Sequence, residues 1–322
     1  MHSVSFVIPC YCSQNTIKAV VGEIEEAMME MPQYQYEVVL INDSSPDGTY
    51  QTIDALAKEK SYVVGVDLAK NFGQHAAIMA GLRQANGEII ICLDDDGQTP
   101  ANEVGKLLTK IEEGYDVVYA SYTESQQNAF RTWGSKVNSK MTEIMLGKPK
   151  ELSITSYFAA RRFVVEEMLR YQNCYPYVIG LVLRSTKNIC NVPVQHRQRQ
   201  EGSSGYTLRK LLSLWLNGFT SFSVKPLRAA TYAGVVCAFF GFLYLIYIVA
   251  QYFFVHTAPL GWSSTVAILL FLGGMILMVL GLMGEYIGRI YLCINATPQY
   301  VVRSRIGRGI EPNKNYEKTD VE

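Results

Sequence analysis

The chain has 322 residues, enough for one large domain and a smaller second part. Its 29 Lys and Arg balance its 29 Asp and Glu, which excludes a global field drawing it to nucleic acid. Seven cysteines show no zinc-like pairing, and Cys10 and Cys12 stand too close for a CxxC redox pair, so reduced thiols are expected.

The first 120 residues alternate between strand and helix periods. Val4–Ile8 is β-rich and ends at Pro9, which, with no basic leader before it, argues against a signal peptide. Ile17, Val20, Val21, Ile24, Ala27, Met28 and Met31 recur at helical spacing. Val38–Ile41 reads as a second strand, followed by turn residues 42–48 and a helix from Thr49 to about Lys58. A third strand at Val63–Val66 precedes a helix from about His75 to Asn86. Glu88–Leu93 is the fourth strand and Val117–Ala120 the fifth. Such alternation predicts an α/β fold, a mostly parallel sheet covered on both faces.

The second half changes character. Leu208, Leu211, Leu212, Trp215, Leu216 and Phe219 form an apolar stripe with Arg209 and Lys210 off it. Placed before a long apolar segment, this pattern predicts an amphipathic helix in a membrane interface; packing on the globular domain is the alternative. No Lys, Arg, Asp or Glu occurs between Arg228 and Glu285. Ala229–Val255 and Ser264–Met283 are each near the roughly 20 residues a bilayer-crossing helix needs. Lys225 and Arg228 precede the first, Arg289, Arg303, Arg305 and Arg308 follow the second, and the connecting loop has neither Lys nor Arg. That distribution puts both flanks in the cytoplasm. The expected organisation is residues 1–205 as a cytoplasmic catalytic domain, 206–228 as an interface helix, 229–292 as a two-helix transmembrane hairpin and 293–322 as a cytoplasmic tail.

In parallel sheets, ligands sit beyond the carboxyl ends of the strands. Pro9-Cys10-Tyr11, Asn42-Asp43, Lys70-Asn71-Phe72-Gly73 and Asp94-Asp95-Asp96 follow four successive strands, so they converge on one crevice. Asp94, Asp96 and Gln98 form an oxygen-rich set suited to Mg²⁺ or Mn²⁺, which take one or two protein carboxylates and complete their shells with water and phosphate. The spacing points Asp94 and Asp96 to one side and Asp95 away.

FVIPCY, INDSSPDGT, KNFGQHAAIMAGL, GEIIICLDDDGQTP, RQEGSSGYT, KPLR and the two apolar spans together resemble the polyprenyl-phosphate glycosyltransferases, family 2 membrane enzymes of GT-A fold. The resemblance covers nearly the whole chain to about Tyr300. It implies inverting transfer of a sugar from a nucleotide-sugar, uridine-linked, to the phosphate of a polyprenyl lipid such as undecaprenyl phosphate, with a divalent metal. Homo-oligomers, tetramers among them, occur in that family.

Residue by residue, the resemblance puts Pro9, Tyr11 and Asp43 at the base end of the nucleotide site, with Asp43 accepting uracil N3–H or else capping the next helix. Asn71 and Gly73 fall on the loop beside the nucleotide, where Gly73 permits close backbone approach or simply makes a turn. Asp94, Asp96 and Gln98 match a DxDxQ pattern; Asp96 and Gln98 are the metal ligands, Asp94 a third or a holder of ribose or bound water, and Asp95 belongs to the nucleotide end. Arg131, followed by Ser135, and Arg199 match phosphate-binding arginines. Gly202, Ser204 and Tyr206 fall on the loop after Arg199, with Arg131, Ser135, Ser204 and Tyr206 near the acceptor phosphate. Catalysis is thereby placed on Asp94, Asp96, Arg131 and Arg199.

The chain departs from that pattern at several points. Cys12-Ser13 replaces Asn-Glu, Ser44 a glycine, Tyr122 an arginine and Gly205 a lysine, and a frequently acidic position falls within Ile154–Tyr157. An acceptor phosphate is already anionic near neutral pH, so loss of that acid need not remove activity. Two competing readings are a processive polysaccharide synthase and a non-catalytic, membrane-tethered nucleotide-binding subunit. Against the first, Gln127 to Trp133 lacks the Gln-x-x-Arg-Trp spacing.

Overall fold

The computed structural model describes residues 2–122, 143, 148–195, 227, 230–232, 234–236, 239–244, 246–247, 261–295 and 297–309. The chain forms two compact units, Met1–Leu211 with Thr297–Glu322, and Leu212–Ala296.

The first unit begins β1 (His2–Cys10), α1 (Ile17–Met29), β2 (Tyr34–Asn42), α2 (Thr49–Glu59), β3 (Val63–Leu68), α3 (Gln74–Gln84) and β4 (Ile89–Cys92). It continues with α4 (Val104–Glu112), β5 (Val117–Tyr122), β6 (Phe158–Arg161), α5 (Arg162–Leu169), α6 (Val178–Ser185) and β7 (Ile189–Val194). After the second unit, β8 (Val302–Ile306) returns to the sheet. The order is β7-β5-β6-β4-β1-β2-β3-β8. The β1–β2, β1–β4, β2–β3 and β5–β7 pairs are parallel; β6 and β8 run against their neighbours.

All five expected strands form, several of them longer than expected. β1 extends through Pro9 because Pro9 loses no hydrogen bond there. Leu93 N–H donates to Val7 O at 3.3 Å, so the backbone of Val7 faces β4. Pro9, two residues on, faces the same side, beyond the last β4 pair at Val7–Cys92. Residues 293–322, expected as a tail, contribute β8 instead.

Alternation along the strands serves two apolar layers. Val4, Phe6 and Ile8 of β1 join Val38 and Leu40 of β2 in a core that takes the buried stripes of α1, α2 and α4. On the other face α3 packs against β1 and β2, and α5 and α6 pack beside it. Gly81 sets how closely α3 lies on the sheet. A Cβ there would stand 2.5 Å from Val7 Cγ1 and 2.6 Å from Ile41 Cδ1. Farther along, the His75 ring meets the Tyr177 ring edge to face at 5.1 Å. His75 Nδ1 has no hydrogen-bond partner, and burial pulls its pKa down to about 4.

In the second unit, α7 (Trp262–Ile294) runs past the expected end at Met283. Its stretch Phe271–Ile294 is the one helix among the described residues long and apolar enough to cross a membrane, with mean hydropathy 1.7. Phe271, Leu277 and Leu280 are exposed along it. Helical residues within Ala230–Tyr244 form a shorter apolar helix. The expected interface helix at 206–228 lies outside the described residues except for Leu227.

Gly81→Val forces α3 off β1 and β2 and lowers stability by about 1–3 kcal/mol, read as a fall in melting temperature of the purified protein. For His75, the folded pKa lies below the unfolded value of about 6.5, so the unfolded chain binds more protons between those values and stability falls as pH drops through that window. Replacing it by Phe keeps the ring contact and removes the titration. Melts of wild type and His75→Phe therefore run parallel above pH of about 6.5 and diverge by about 3 kcal/mol near pH 4, the wild type falling faster. Parallel curves throughout would show that the imidazole is not held neutral.

Candidate active site

The ends of β1, β2, β3 and β4 lie side by side because those strands are consecutive neighbours, in the order β4-β1-β2-β3. Each ends in a polar turn. After β1, Tyr11 is exposed, and its backbone N–H donates to Asp95 Oδ2 at 3.0 Å. Asp95 therefore points toward the β1 end, whereas Asp94 takes its partners from Gln74 and Ser156.

After β2, Asp43 is buried and holds a loop. Its Oδ1 accepts from Phe72 N–H at 2.7 Å and its Oδ2 from Gly73 N–H at 2.8 Å. Asn71 Nδ2 donates to the Asp43 carbonyl at 3.3 Å. Burial raises the Asp43 pKa and the two N–H groups partly offset it. Asp43 does not cap α2; Asp47 accepts from Thr49 N–H and Oγ1–H there, at 3.2 and 2.6 Å. Gly73 has φ +88°, a conformation that side chains strain, so it serves as more than a spacer. Cys12 and Ser44 also hold left-handed φ, at +56° and +53°, and Cys12 N–H donates to Ser45 Oγ at 3.1 Å. Ser44 thus keeps the backbone shape of the glycine it stands for, at a cost of about 1 kcal/mol.

After β4, Asp94 Oδ1 accepts from Gln74 Nε2 at 2.9 Å, and Oδ2 accepts from the Ser156 hydroxyl. Burial raises Asp94 to about 6, and the charges of Asp96 and Asp95 add to the rise. Asp95 is raised by burial as well, opposed mainly by the Tyr11 N–H. Asp96 Oδ1 accepts from Gln98 N–H at 3.0 Å, across Gly97 at φ +72°. Tyr122, at the end of β5, is pushed up to about 12 by burial and by the charge of Asp94, so its hydroxyl keeps its proton.

Gln74 and Ser156 were not among the sequence-derived candidates. Gln74 directly follows Gly73 in the loop already singled out; Ser156 lies in the stretch where alignment to the family is ambiguous. Thr155, its neighbour, faces away and donates to Ala120 O at 2.9 Å. The paired Arg161 and Arg162 bind backbone carbonyls of Tyr115, Ile111, Gly87 and Ala85, closing the ends of α3 and α4. Arg131, Ser135, Arg199, Gly202, Ser204 and Tyr206 lie outside the described residues.

The donor set is chemically uniform. The three carboxylates and the Gln98 amide supply only hard oxygen ligands. Among the described residues no group of three or more His, Cys, Asp or Glu side chains is arranged to hold a metal ion. An acidic cluster in which burial disfavours the charge of Asp94 and Asp95 suits a hard divalent cation that takes few protein ligands and completes its shell from a phosphate.

Residues 5–169 match the family model described as Glycosyl transferase family 2, and residues 225–290 match one described as GtrB C-terminal hairpin. An undecaprenyl-phosphate 4-deoxy-4-formamido-L-arabinose transferase of Proteus mirabilis (strain HI4320) is 33% identical over 325 residues, 99% of this chain and 98% of that one. Its counterpart in Yersinia enterocolitica serotype O:8 is 34% identical over 319 residues, 98% of this chain and 97% of that one. Two solved structures of glucosyl-3-phosphoglycerate synthase from Mycobacterium tuberculosis share the fold at 16% identity. The complex with uridine-diphosphate has TM-score 0.51, covering 69% of this chain and 79% of that one. The complex with Mn²⁺, uridine-diphosphate-glucose and phosphoglyceric acid has TM-score 0.50, covering 69% and 78%. With its mostly parallel GT-A-like sheet and a match running from end to end, the chain belongs to glycosyl transferase family 2 and is a glycosyltransferase.

Proposed function

We propose that this enzyme transfers a sugar from a uridine-linked nucleotide-sugar to undecaprenyl phosphate, with inversion, at a membrane surface. The observation that carries the donor half is the acidic cluster beyond β4, with Asp94 raised to about 6 and its neighbours crowded against it. The acceptor half rests on the names of relatives that match over nearly the whole chain.

Asp96 and Gln98, with Asp94, would hold Mg²⁺ or Mn²⁺, the latter being present in one of the solved relatives. Such an ion draws charge from a diphosphate and so stabilises it as a leaving group. The chain's own residues do the positioning. Asp43 fixes the 71–73 loop, which lies beside the base end of the crevice with Pro9 and Tyr11. Its two oxygens, already accepting N–H groups, keep lone pairs for a uracil N3–H. Gln74 and Ser156 orient Asp94 toward the donor. Arg131 and Arg199 compensate phosphate charge, Arg131 with Ser135, Ser204 and Tyr206 toward the acceptor. The acceptor phosphate oxygen attacks as an anion, so no group need remove a proton, and Ser156 is tolerated near a position that is acidic in other members.

The membrane half of the proposal draws on chain topology. The segments before Leu212 and after Ala296 belong to one unit, so a crossing segment between them crosses an even number of times. Together with Phe271–Ile294, the apolar helix within Ala230–Tyr244 and the hairpin match, this supports two spans with the catalytic unit cytoplasmic.

Membranes containing the enzyme, given Mn²⁺, undecaprenyl phosphate and a panel of labelled nucleotide-sugars, should yield label in an acid-labile, lipid-extractable product. Label released as long polymer would instead identify a synthase. Asp96→Ala should reduce transfer at least ~100-fold while the protein still folds and inserts; full activity in that variant rejects the metal assignment. Asp43→Asn removes one charged acceptor from the 71–73 loop, worth about 1–2 kcal/mol, so donor KM should rise about tenfold with kcat changed far less.

A further inference from the structure

The strand that follows the apolar unit reaches back to the crevice. β8 pairs with β3, and the register shifts between Asp67 and Leu68, where β3 ends. Ala69 N–H donates to Val301 O at 2.9 Å. From β8, Arg303 Nη1 donates to Asp67 Oδ2 at 3.2 Å and Nη2 to Ala69 O at 2.9 Å.

Asp67 is not a surface partner. Its side chain is 4% exposed, and its other oxygen accepts from Asn42 Nδ2 at 2.7 Å. Asn42, buried at the end of β2, accepts Ser45 N–H on Oδ1 at 3.2 Å. Ser45 Oγ in turn accepts Cys12 N–H. One unbroken chain of hydrogen bonds therefore runs from β8 to the turns after β2 and β1, with Asp43 next to Asn42 inside it.

We propose that Arg303 is a positioning residue for the nucleotide end of the crevice. By compensating Asp67 it fixes the Asn42 amide, and through it the Asp43–Ser45 turn on which the 71–73 loop hangs. The inference rests on the reading of that turn as a nucleotide site. Most ion pairs with an exposed arginine contribute little. This one differs because a buried carboxylate that loses its cation is left uncompensated, and the turn must rearrange to hydrate it.

The test uses the full chain and UDP with Mn²⁺ as the probe, with affinity read by calorimetry. Arg303→Ala should weaken UDP about tenfold, and Arg303→Lys, which keeps the charge, should recover most of the loss. Arg305→Ala, on the same strand but without this contact, should bind as wild type does. In an Asp67→Asn background, which needs no cation, adding Arg303→Ala should have little further effect. A folded Arg303→Ala protein with wild-type UDP affinity, alongside a weakened Asp43→Ala, overturns the positioning role and leaves the nucleotide reading standing. If Asp43→Ala also binds normally, the nucleotide reading fails and takes this inference with it. If Arg303→Ala does not fold, the Asp67→Asn/Arg303→Ala protein decides: regained folding and UDP binding support the role, and no rescue overturns it.

Discussion

The site depends on a repulsion that the fold leaves partly unrelieved. Asp94, Asp95 and Asp96 follow one another at the end of a buried strand, and burial penalises the charge of the first two. Gln74, Ser156 and the Tyr11 N–H each give a hydrogen bond, but all three donors are neutral. Neutral donors offset part of a desolvation penalty and none of the like-charge repulsion. Relieving the remainder takes positive charge, which none of these three donors carries.

The rest of the unit holds that cluster in place. β4 is only four residues long, yet it sits between β1 and β6 and cannot shift without moving both. α3 is pressed onto β1 and β2 at Gly81, and its N-terminus delivers Gln74 to Asp94 and Gly73 to Asp43. Two left-handed non-glycine residues, Cys12 and Ser44, are kept at the turns after β1 and β2. Backbone strain of this kind persists where surrounding contacts over-determine it, and it clusters at functional sites. Here a serine stands where relatives of the family pattern carry glycine, so the turn conformation has been retained at some cost in stability.

The sequence carried the first five strands and their helices because their apolar periodicity is unmixed and their ends are marked by Pro9, Asn42-Asp43 and the aspartates. It did not carry β6, β7 or β8. FAAR is short and ends in an arginine whose guanidinium turns back to carbonyls of α4 and Tyr115. ICNVPV contains a proline, and VRSRI alternates two arginines at an exposed edge. Each is a strand by virtue of its neighbours, which a local pattern does not contain. The carboxylates, Asp43, Asn71 and Gly73 were legible as strand-end residues, whereas the orientation of Asp95 and the hydrogen bonds of Gln74 and Ser156 depend on which turns meet across the crevice. Arg303 was legible only as a flanking positive charge; its contact with Asp67 needs the return of the chain after the second unit, Leu212–Ala296.

Tyr122 bears on how charge is divided in the reaction. The family pattern has an arginine at that place, and this chain has a phenol that holds its proton, with a pKa of about 12. A protonated phenol donates a hydrogen bond and adds no positive charge. It therefore offers direction without the Coulomb attraction that an arginine would exert beside Asp94. Ser156 does the same from the other side, where relatives tend to be acidic: a neutral hydroxyl in place of a charge. The two replacements have opposite electrostatic sign, one removing a cation and the other an anion, so the net charge facing the substrates changes less than either alone. What changes is the directionality of the contacts, from long-range Coulomb attraction to hydrogen bonds that demand a particular oxygen at a particular place. Hydrogen bonds of that kind discriminate between sugars more sharply than charges do. The departures from the family pattern thus exchange charge for directional hydrogen bonds, while Asp94, Asp95 and Asp96 are all kept at the end of β4.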